Sequence, residues 1–304
     1  MSDSIHHKLY LVPEATYGTT PATPALVNTR HTACSLALSK DSFRSAEINA
    51  TRNLQDYRHG NRQIGGDIGI EMSAGTYDLA LEALLMGSWT ANVLKIGQTR
   101  RSFTALRNFV DQTTAGQKGF HKFIGVEFNK LALKLVAGKV VDGSFSVIGQ
   151  DVSYSDTAPE DCTYVDPTTS KVMDAFTGSA SIGGTAYGLT ELNLTIENGL
   201  TPNFVLFSPL TELPSHQVCS VTGEIGVRFR NASLLETFLA GDQVALAFTI
   251  QDGAGKSYAF SLPKIMLNGG QPDVGGEGPV NLKIPFQAVY DTGDASTIKI
   301  TRVP

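Results

Sequence analysis

The sequence predicts a mainly β protein with two tandem, duplicated units, each carrying one short flanking α-helix, behind an extended N-terminal arm. Three observations predict this. Apolar and polar residues alternate over many short segments, only two segments have helical spacing, and one order of segments occurs twice. Alternation with period two is typical of strands that bury one face. The predicted units are therefore half-buried antiparallel sheets.

Residues 1–30 are predicted to form the arm. The stretch 11–24 holds three prolines among repeated Thr and Gly, which exclude a helix. Its apolar side chains include Leu11 and Tyr17, so we expect burial against another subunit or against the chain's own sheet. Deleting residues 1–24 is expected to leave a folded subunit.

The first β domain is predicted at residues 31–150. Leu36 and Leu38, then Ile68 and Ile70, alternate with polar or small residues, and later segments around 131–135 and 145–147 do the same. Between these strands, residues 76–87 are rich in Ala and Leu. Thr76 is a suitable N-terminal cap for a helix there, and Gly87 is a suitable end.

The order of strand, strand, helix and strand returns in the second half. Gly66–Met72 matches Gly223–Phe229 in residue type, and a second helix follows with Ser233 as N-cap and Glu236 in a capping box. The final strands align Phe145 with Phe286. The second β domain is therefore predicted at 186–292, after a linker or loop at 151–185 and before a C-terminal tail at 293–304.

Composition excludes several function classes. The net charge is −5, which disfavours tight nucleic-acid binding. Cys34, Cys162 and Cys219 are widely separated, which disfavours a disulfide framework or a zinc site. No apolar run is long enough to span a membrane, so we expect no membrane partner.

No catalytic motif is present, and we expect no catalytic residues, metal or cofactor. Ala254–Ser257 resembles the end of a phosphate-binding loop, but the upstream glycine is missing and the segment is predicted as a hairpin around Asp252-Gly253. A hydrolase on a β-sandwich stays a minor alternative.

Six stretches, in order, resemble the major tail tube proteins of long-tailed, siphophage-type bacteriophages in their duplicated form. The resemblance covers most of residues 8–291. The stretches are Pro13–Pro24, His59–Ile68, Tyr77–Trp89, Arg100–Phe103, Val221–Gly241 and Gly275–Ala288.

The resemblance implies β-sandwich or half-barrel units whose strands join those of neighbouring copies into one inner barrel. It implies homotrimeric, pseudo-hexameric rings, with a hexamer as the alternative, stacked into a virion tail tube that conducts DNA during ejection. Expected partners are other copies, the tape measure protein, tail terminator and distal tail proteins, and, transiently, double-stranded DNA. Assembly is expected in the cytoplasm of the host bacterium.

Candidate site residues follow from this expectation. Polar residues that alternate with buried strand positions are candidates for the lumen wall: Asp67, Glu71, Glu191, Asn193, Glu197 and Glu224. Residues of the arm and of the mixed-charge loop 44–64, together with loop 266–280, are candidates for contacts between subunits or rings: Leu11, Tyr17, Arg44, Glu47, Arg52, Asp56, Arg58 and Arg62.

Two other non-enzymatic functions remain open from the sequence. One is a β-sandwich adhesin, capsid-decorating or carbohydrate-binding virion protein, which needs an exposed aromatic platform. The other is the tube of a contractile-type injection machine. Trp89 is the only Trp and is expected in the core. Polymerisation into hollow rods distinguishes a tube from an adhesin.

Overall fold

A computed structural model describes residues 3–48, 51, 53–112, 114–272 and 279–304. This part of the chain is mainly β with two short α-helices, as predicted. The helices are α1 (Asp78–Leu84) and α2 (Ser233–Ala240). The strands are β1 (His7–Pro13), β2 (Ala25–Asn28), β3 (Ala33–Cys34), β4 (Ala37–Arg44), β5 (Tyr57–Glu71), β6 (Val93–Lys95), β7 (Phe103–Phe109), β8 (Phe120–Val136), β9 (Asp142–Gly149), β10 (Asp151–Ser155), β11 (Thr163–Val165), β12 (Asp174–Ile182), β13 (Thr185–Ala186), β14 (Leu189–Glu197), β15 (Thr201–Phe204), β16 (Thr211–Ser215), β17 (Ser220–Arg228), β18 (Val244–Gln251), β19 (Ser257–Leu267), β20 (Asn281–Ala288) and β21 (Lys299–Val303).

The first unit is a sandwich of two antiparallel sheets. Its inner sheet contains β4, β5, β9 and the second half of β8, and its outer sheet contains β1, β7 and the first half of β8. The long strand β8 thus belongs to both sheets. Side chains such as Ile68 and Phe145 from the inner sheet and Leu9 and Phe123 from the outer sheet share one buried core.

The second unit repeats this arrangement. Its inner sheet contains β14, β17, β20 and the end of β19, and its outer sheet contains β12, β18 and the start of β19. Ile196 lies opposite Val221 as Leu38 lies opposite Ile64, so β14 corresponds to β4.

The structure corrects the alignment of the last strands. Ile68 lies opposite Phe145, whereas its counterpart Ile225 lies opposite Ile284 rather than Phe286. The alignment of Phe145 with Phe286 is therefore wrong by two residues. A shift of two residues leaves every side chain on the same face of the strand, so the alternation pattern does not reveal it.

Three segments expected outside the units contain strands of the sheets. In the expected arm, β1 pairs with β7 over seven residues, and in the expected linker, β12 pairs with β18 in the same position of the second unit. In the expected tail, β21 pairs with β19 of the second unit and with β6 of the first. These residues lie within the sheets because their apolar side chains complete the core.

Both helices lie where they were predicted, but both N-terminal caps and the end of α1 differ. Tyr77 and Ala232 are the N-terminal caps, and neither helix has a capping hydrogen bond from a side chain. Thr76 instead contacts the Ser73 hydroxyl, 2.6 Å away. The left-handed residue after α1 is Met86, with φ of 48°, rather than Gly87.

The two units join edge to edge within the chain. The second half of β8 pairs with β14 over seven residues, from Glu191 opposite Val136 to Glu197 opposite Lys130. The inner sheets therefore form one continuous sheet in the order β4–β5–β9–β8–β14–β17–β20–β19. One buried core spans both units.

Candidate functional site

One face of the continuous inner sheet is polar along its whole width. Because side chains alternate along each strand, the residues opposite the core share this face. One row across four strands runs from Asp67 through Ser146 and Lys130 to Glu197, each residue opposite the next. The Ser146 hydroxyl donates a 2.5 Å hydrogen bond to the Asp67 carboxylate.

Two carboxylates on this polar face form ion pairs with lysines. Glu191 lies 4.0 Å from the Lys134 amine and 3.7 Å from that of Lys283, which is also 3.5 Å from Glu224. The Asn193 amide donates to Glu191 at 3.0 Å. This hydrogen bond, followed by the nearby lysines, lowers the pKa of the Glu191 carboxyl.

The six predicted lumen candidates all occupy the polar face of the inner sheet. Glu71 lies at its border, where β5 ends, and also lines a cavity with His7 and Tyr77. Lys134 and Lys283 lie beside these candidates but have no local sequence signature. Their charge pattern becomes visible only when the register of neighbouring strands is known.

The inner sheet ends at an open edge, the outer side of β4. In the described part of the chain β4 pairs only with β5, and nearly all of its residues are exposed. Its counterpart β14 pairs with β17 on one side and with β8 on the other. An unpaired edge presents backbone donors and acceptors that bind another strand.

Two hairpins project from the same end of the inner sheet. The hairpin formed by β4, β5 and the segment between them carries four of the predicted contact residues, and Arg52 lies outside the described residues. Those four are Arg44, Glu47, Asp56 and Arg58. An exposed ion pair of 2.9 Å joins Arg58 to Asp56.

The second hairpin, β15–β16, follows β14 and leans over the first unit. The Pro209 carbonyl accepts a 2.7 Å hydrogen bond from the Arg62 backbone N–H, and Gln150 donates to the Thr211 carbonyl at 3.1 Å. Leu206 and Phe207 at its tip are almost completely exposed. Such apolar exposure on a hairpin is typical of a protein contact surface.

The remaining predicted contact residues lie inside the subunit. Leu11 in β1 is half-buried opposite Ala105, and the Tyr17 hydroxyl is buried. Arg62 forms a 3.0 Å ion pair with Asp151 of the same chain. The structure therefore places these three in contacts within one chain.

Two hydrogen-bonded imidazoles connect β1 with β7 and with the segment that follows β2. Arg107 donates to His7 Nε2 at 3.0 Å, so Nδ1 carries the proton and donates to His31 Nε2 at 2.8 Å. His31 in turn donates to the Thr29 carbonyl at 2.9 Å. Burial and the Arg107 charge lower the pKa of His7 to about 4, and the same two causes lower the pKa of His121.

The His7 contact predicts acid sensitivity. Because the pKa is about 4 in the folded chain and 6.5 in the unfolded one, the unfolded chain binds more protons between these values. Stability is therefore expected to fall as pH drops through this window, by about 1–2 kcal/mol after allowance for partial exposure. Urea denaturation from pH 7.5 to 4 measures it. His7→Asn should reduce the dependence, whereas the exposed control His216→Asn should not; equal profiles for all three proteins would contradict the assignment.

The described residues contain no arrangement typical of a metal site or a membrane-spanning helix. Among the described residues, no group of three or more His, Cys, Asp or Glu side chains is arranged to hold a metal ion. No helix in the described ranges is long and apolar enough to cross a membrane. The three cysteines are free. Ala254–Ser257 lies in the hairpin between β18 and β19, where the Asp252 carboxylate accepts hydrogen bonds from the Ala254 and Lys256 backbone N–H groups.

Comparison with known proteins identifies the family. Residues 5–288 match the family model described as phage tail tube protein. No curated protein matched the chain. The match covers nearly all of both units, and the mainly β fold agrees with it. The protein therefore belongs to the phage tail tube protein family and is a structural component of a virion tail.

Proposed function

We propose that this chain is the main subunit of a siphophage-type tail tube. Three copies close into a ring of six related units, and rings stack around a lumen that conducts DNA during ejection. The observation that supports this proposal is the β8–β14 junction, which joins two units edge to edge inside one chain.

The junction within the chain provides a template for contacts between chains. Since β4 corresponds to β14, its open edge is the position where a neighbouring copy adds its sheet. Repetition of one heterologous contact closes a ring when the rotation allows it. Closure removes the exposed strand edges, which are otherwise prone to uncontrolled pairing. Two units per chain give pseudo-six-fold symmetry with three chains.

The polar face of the inner sheet would then line the lumen. DNA must slide through without binding, and binding requires net positive charge against phosphate. Carboxylates such as Glu191 and Glu224 prevent this by pairing with the lysines beside them. The apolar face is buried in the sandwich cores. The wall would therefore be hydrated and close to neutral.

The two hairpins at one end of the sheet would contact the next ring. Phe43, Leu54 and Tyr57 in the first, with Leu206 and Phe207 in the second, are exposed apolar residues. A contact between one end of a subunit and the other end of the next copy does not close, and it extends into a filament.

At the tube ends we propose the tail terminator and distal tail proteins as partners, and inside the tube the tape measure protein. Assembly would occur in the host cytoplasm.

Electron microscopy of the purified protein tests the proposal directly. We expect hollow rods of uniform width, and native mass spectrometry of isolated rings should give three chains. Six chains per ring would support the hexamer instead. A protein that stays monomeric at high concentration and binds glycans would contradict the tube and support the adhesin.

A single edge substitution tests the role of β4. The backbone N–H of Asn198, the counterpart of Lys40, donates across the junction to the Asn129 carbonyl at 2.9 Å. Lys40→Pro removes the equivalent outward donor of β4 and is expected to prevent rod formation while the monomer stays folded. Lys171→Pro, at an exposed lysine outside the helices and strands, serves as the comparison for a proline at a surface lysine. Rods of normal length from Lys40→Pro would refute the role of this edge.

A further inference from the structure

The two helices hold equivalent positions but differ in what covers them. Their backbone hydrogen bonds match: Leu81 N–H to Tyr77 O corresponds to Glu236 N–H to Ala232 O, and Gly87 N–H to Glu82 O corresponds to Asp242 N–H to Thr237 O. This alignment makes Leu239 of α2 the counterpart of Leu84 of α1.

The C-terminal end of α1 contacts the second unit of the same chain. Leu84 has 0% of its surface exposed, and its carbonyl accepts a 2.7 Å hydrogen bond from the Asn198 side-chain amide. Asn198 is itself buried. In the described part of the chain no residue makes the equivalent contact with the end of α2, and Leu239 is 72% exposed.

The residue that corresponds to Asn198 in the first unit is a lysine. Leu38 and Ile196 occupy the same register position, opposite Ile64 and Val221, so Lys40 corresponds to Asn198 two residues further on. Lys40 is exposed at the open edge of β4. It therefore lies where a neighbouring copy would bring an α2 helix.

We propose that the C-terminal end of α2 is a docking site for Lys40 of a second copy. This inference rests on the proposed function and adds a specific contact to it. The last carbonyls of a helix and its dipole attract a cation, and the Lys40 amine would donate to the Leu239 carbonyl. Asp242, exposed next to the helix end, would add a carboxylate partner. Leu239 would be buried in the contact as Leu84 is within the chain.

A repeated asparagine supports the same geometry. At the junction within the chain, Asn129 accepts hydrogen bonds from the backbone N–H of Asn198 at 2.9 Å and of Leu200 at 2.7 Å, using its main-chain and side-chain carbonyls respectively. Asn129 follows Phe128, which lies opposite Val147, and Asn268 follows Leu267, which lies opposite Phe286.

Val147 and Phe286 are themselves opposite the matched glycines Gly66 and Gly223, so Asn268 is the counterpart of Asn129. Asn268 is exposed. In the assembly it would accept hydrogen bonds from the backbone of Lys40 and Ser42 of the second copy. Asn198 and Asn129, which meet at the junction within the chain, thus have the counterparts Lys40 and Asn268 at the two outer edges of the chain.

A charge exchange tests the docking site. Lys40→Glu would place a carboxylate against the helix C-terminus and Asp242, and Asp242→Lys would place two lysines together. Each is expected to raise the protein concentration needed for half-maximal rod formation about tenfold or more. The double variant Lys40→Glu/Asp242→Lys is expected to recover part of this loss, because it restores the ion pair but not the hydrogen bond to the Leu239 carbonyl. Light scattering over a dilution series measures it.

Two further variants separate this contact from general effects. Lys256→Glu makes the same charge change at the exposed β18–β19 turn and should assemble normally. Leu239→Ser should weaken assembly without lowering the melting temperature of the monomer, because the side chain is exposed there.

If unmodified protein makes no rods, the proposed function fails. Suppose instead that the unmodified protein makes rods and that Lys40→Pro prevents them. If the charge variants and Leu239→Ser then assemble normally, only the docking site is refuted. Absence of recovery in the double variant would refute the pairing of Lys40 with Asp242.

Discussion

A chain that lacks residues 1–13 is expected not to fold. The deletion removes β1, whose Leu9, Tyr10 and Val12 are buried and whose backbone pairs with β7 over seven residues. Burial of three such side chains contributes about 5 kcal/mol or more. This is comparable to the whole stability of a typical domain. Circular dichroism and the yield of soluble protein measure the outcome.

A shorter deletion provides the control. Removing residues 1–5 ends before β1, and residues 4 and 5 are exposed, so this variant should keep the melting temperature of the full chain. If the variant without residues 1–13 also melts cooperatively at that temperature, β1 contributes nothing to the fold. The removal of residues 1–24 is therefore expected to unfold the chain, in contrast to the expectation from sequence.

The difference arises from what local sequence can reveal. The prolines of the first 30 residues predict an extended backbone. Strands β1 and β2 are extended, but the residues between them turn the chain back so that the two strands pair. Whether an extended segment pairs within its own chain depends on the edge it meets, which is far away in sequence. Strands β1 and β12 also share no residue pattern, so their equivalence appears only from their pairing with β7 and β18.

The inner sheet was largely predictable because its signal is local. Alternation around Ile68 and Ile225 correctly assigned the buried face, and with it the polar face that carries Asp67 and Glu224. The helices were found from their spacing. Their N-terminal caps were not, because Thr76 and Ser233 have competing hydrogen-bond partners in neighbouring loops.

The proposed assembly surfaces were less predictable for a physical reason. Loop 44–64 was proposed as a contact surface from its mixed charges, but the open edge of β4 and the uncovered end of α2 have no sequence signature. They become visible by comparing each unit with its duplicate, which has the partner that the other lacks. Lys40 and Asn198 differ in residue type, so only strand register relates them.

Arg100→Ala is expected to destabilise the subunit by about 3–5 kcal/mol, because it leaves a buried carboxylate without its cation. Arg100 donates a 2.7 Å hydrogen bond to Glu127, which is 3% exposed, and the other Glu127 oxygen has no partner. The Arg100 hydrogen bond and charge are the causes that lower the pKa of Glu127, whereas burial, the largest cause, and Glu14 raise it. Urea denaturation of the monomer measures the loss.

The pH dependence distinguishes this pair from simple packing. The pKa of Glu127 is already raised by burial, and without Arg100 it should rise further. A raised pKa means that the folded chain retains a proton that the unfolded chain releases, so stability is lost as pH increases through the folded value. Arg100→Ala should therefore be less destabilising at pH 5 than at pH 8. The double variant Arg100→Met/Glu127→Gln has no buried charge and should recover stability at pH 8. An equal loss at both pH values, without recovery in the double variant, would show that Arg100 acts through its packing alone.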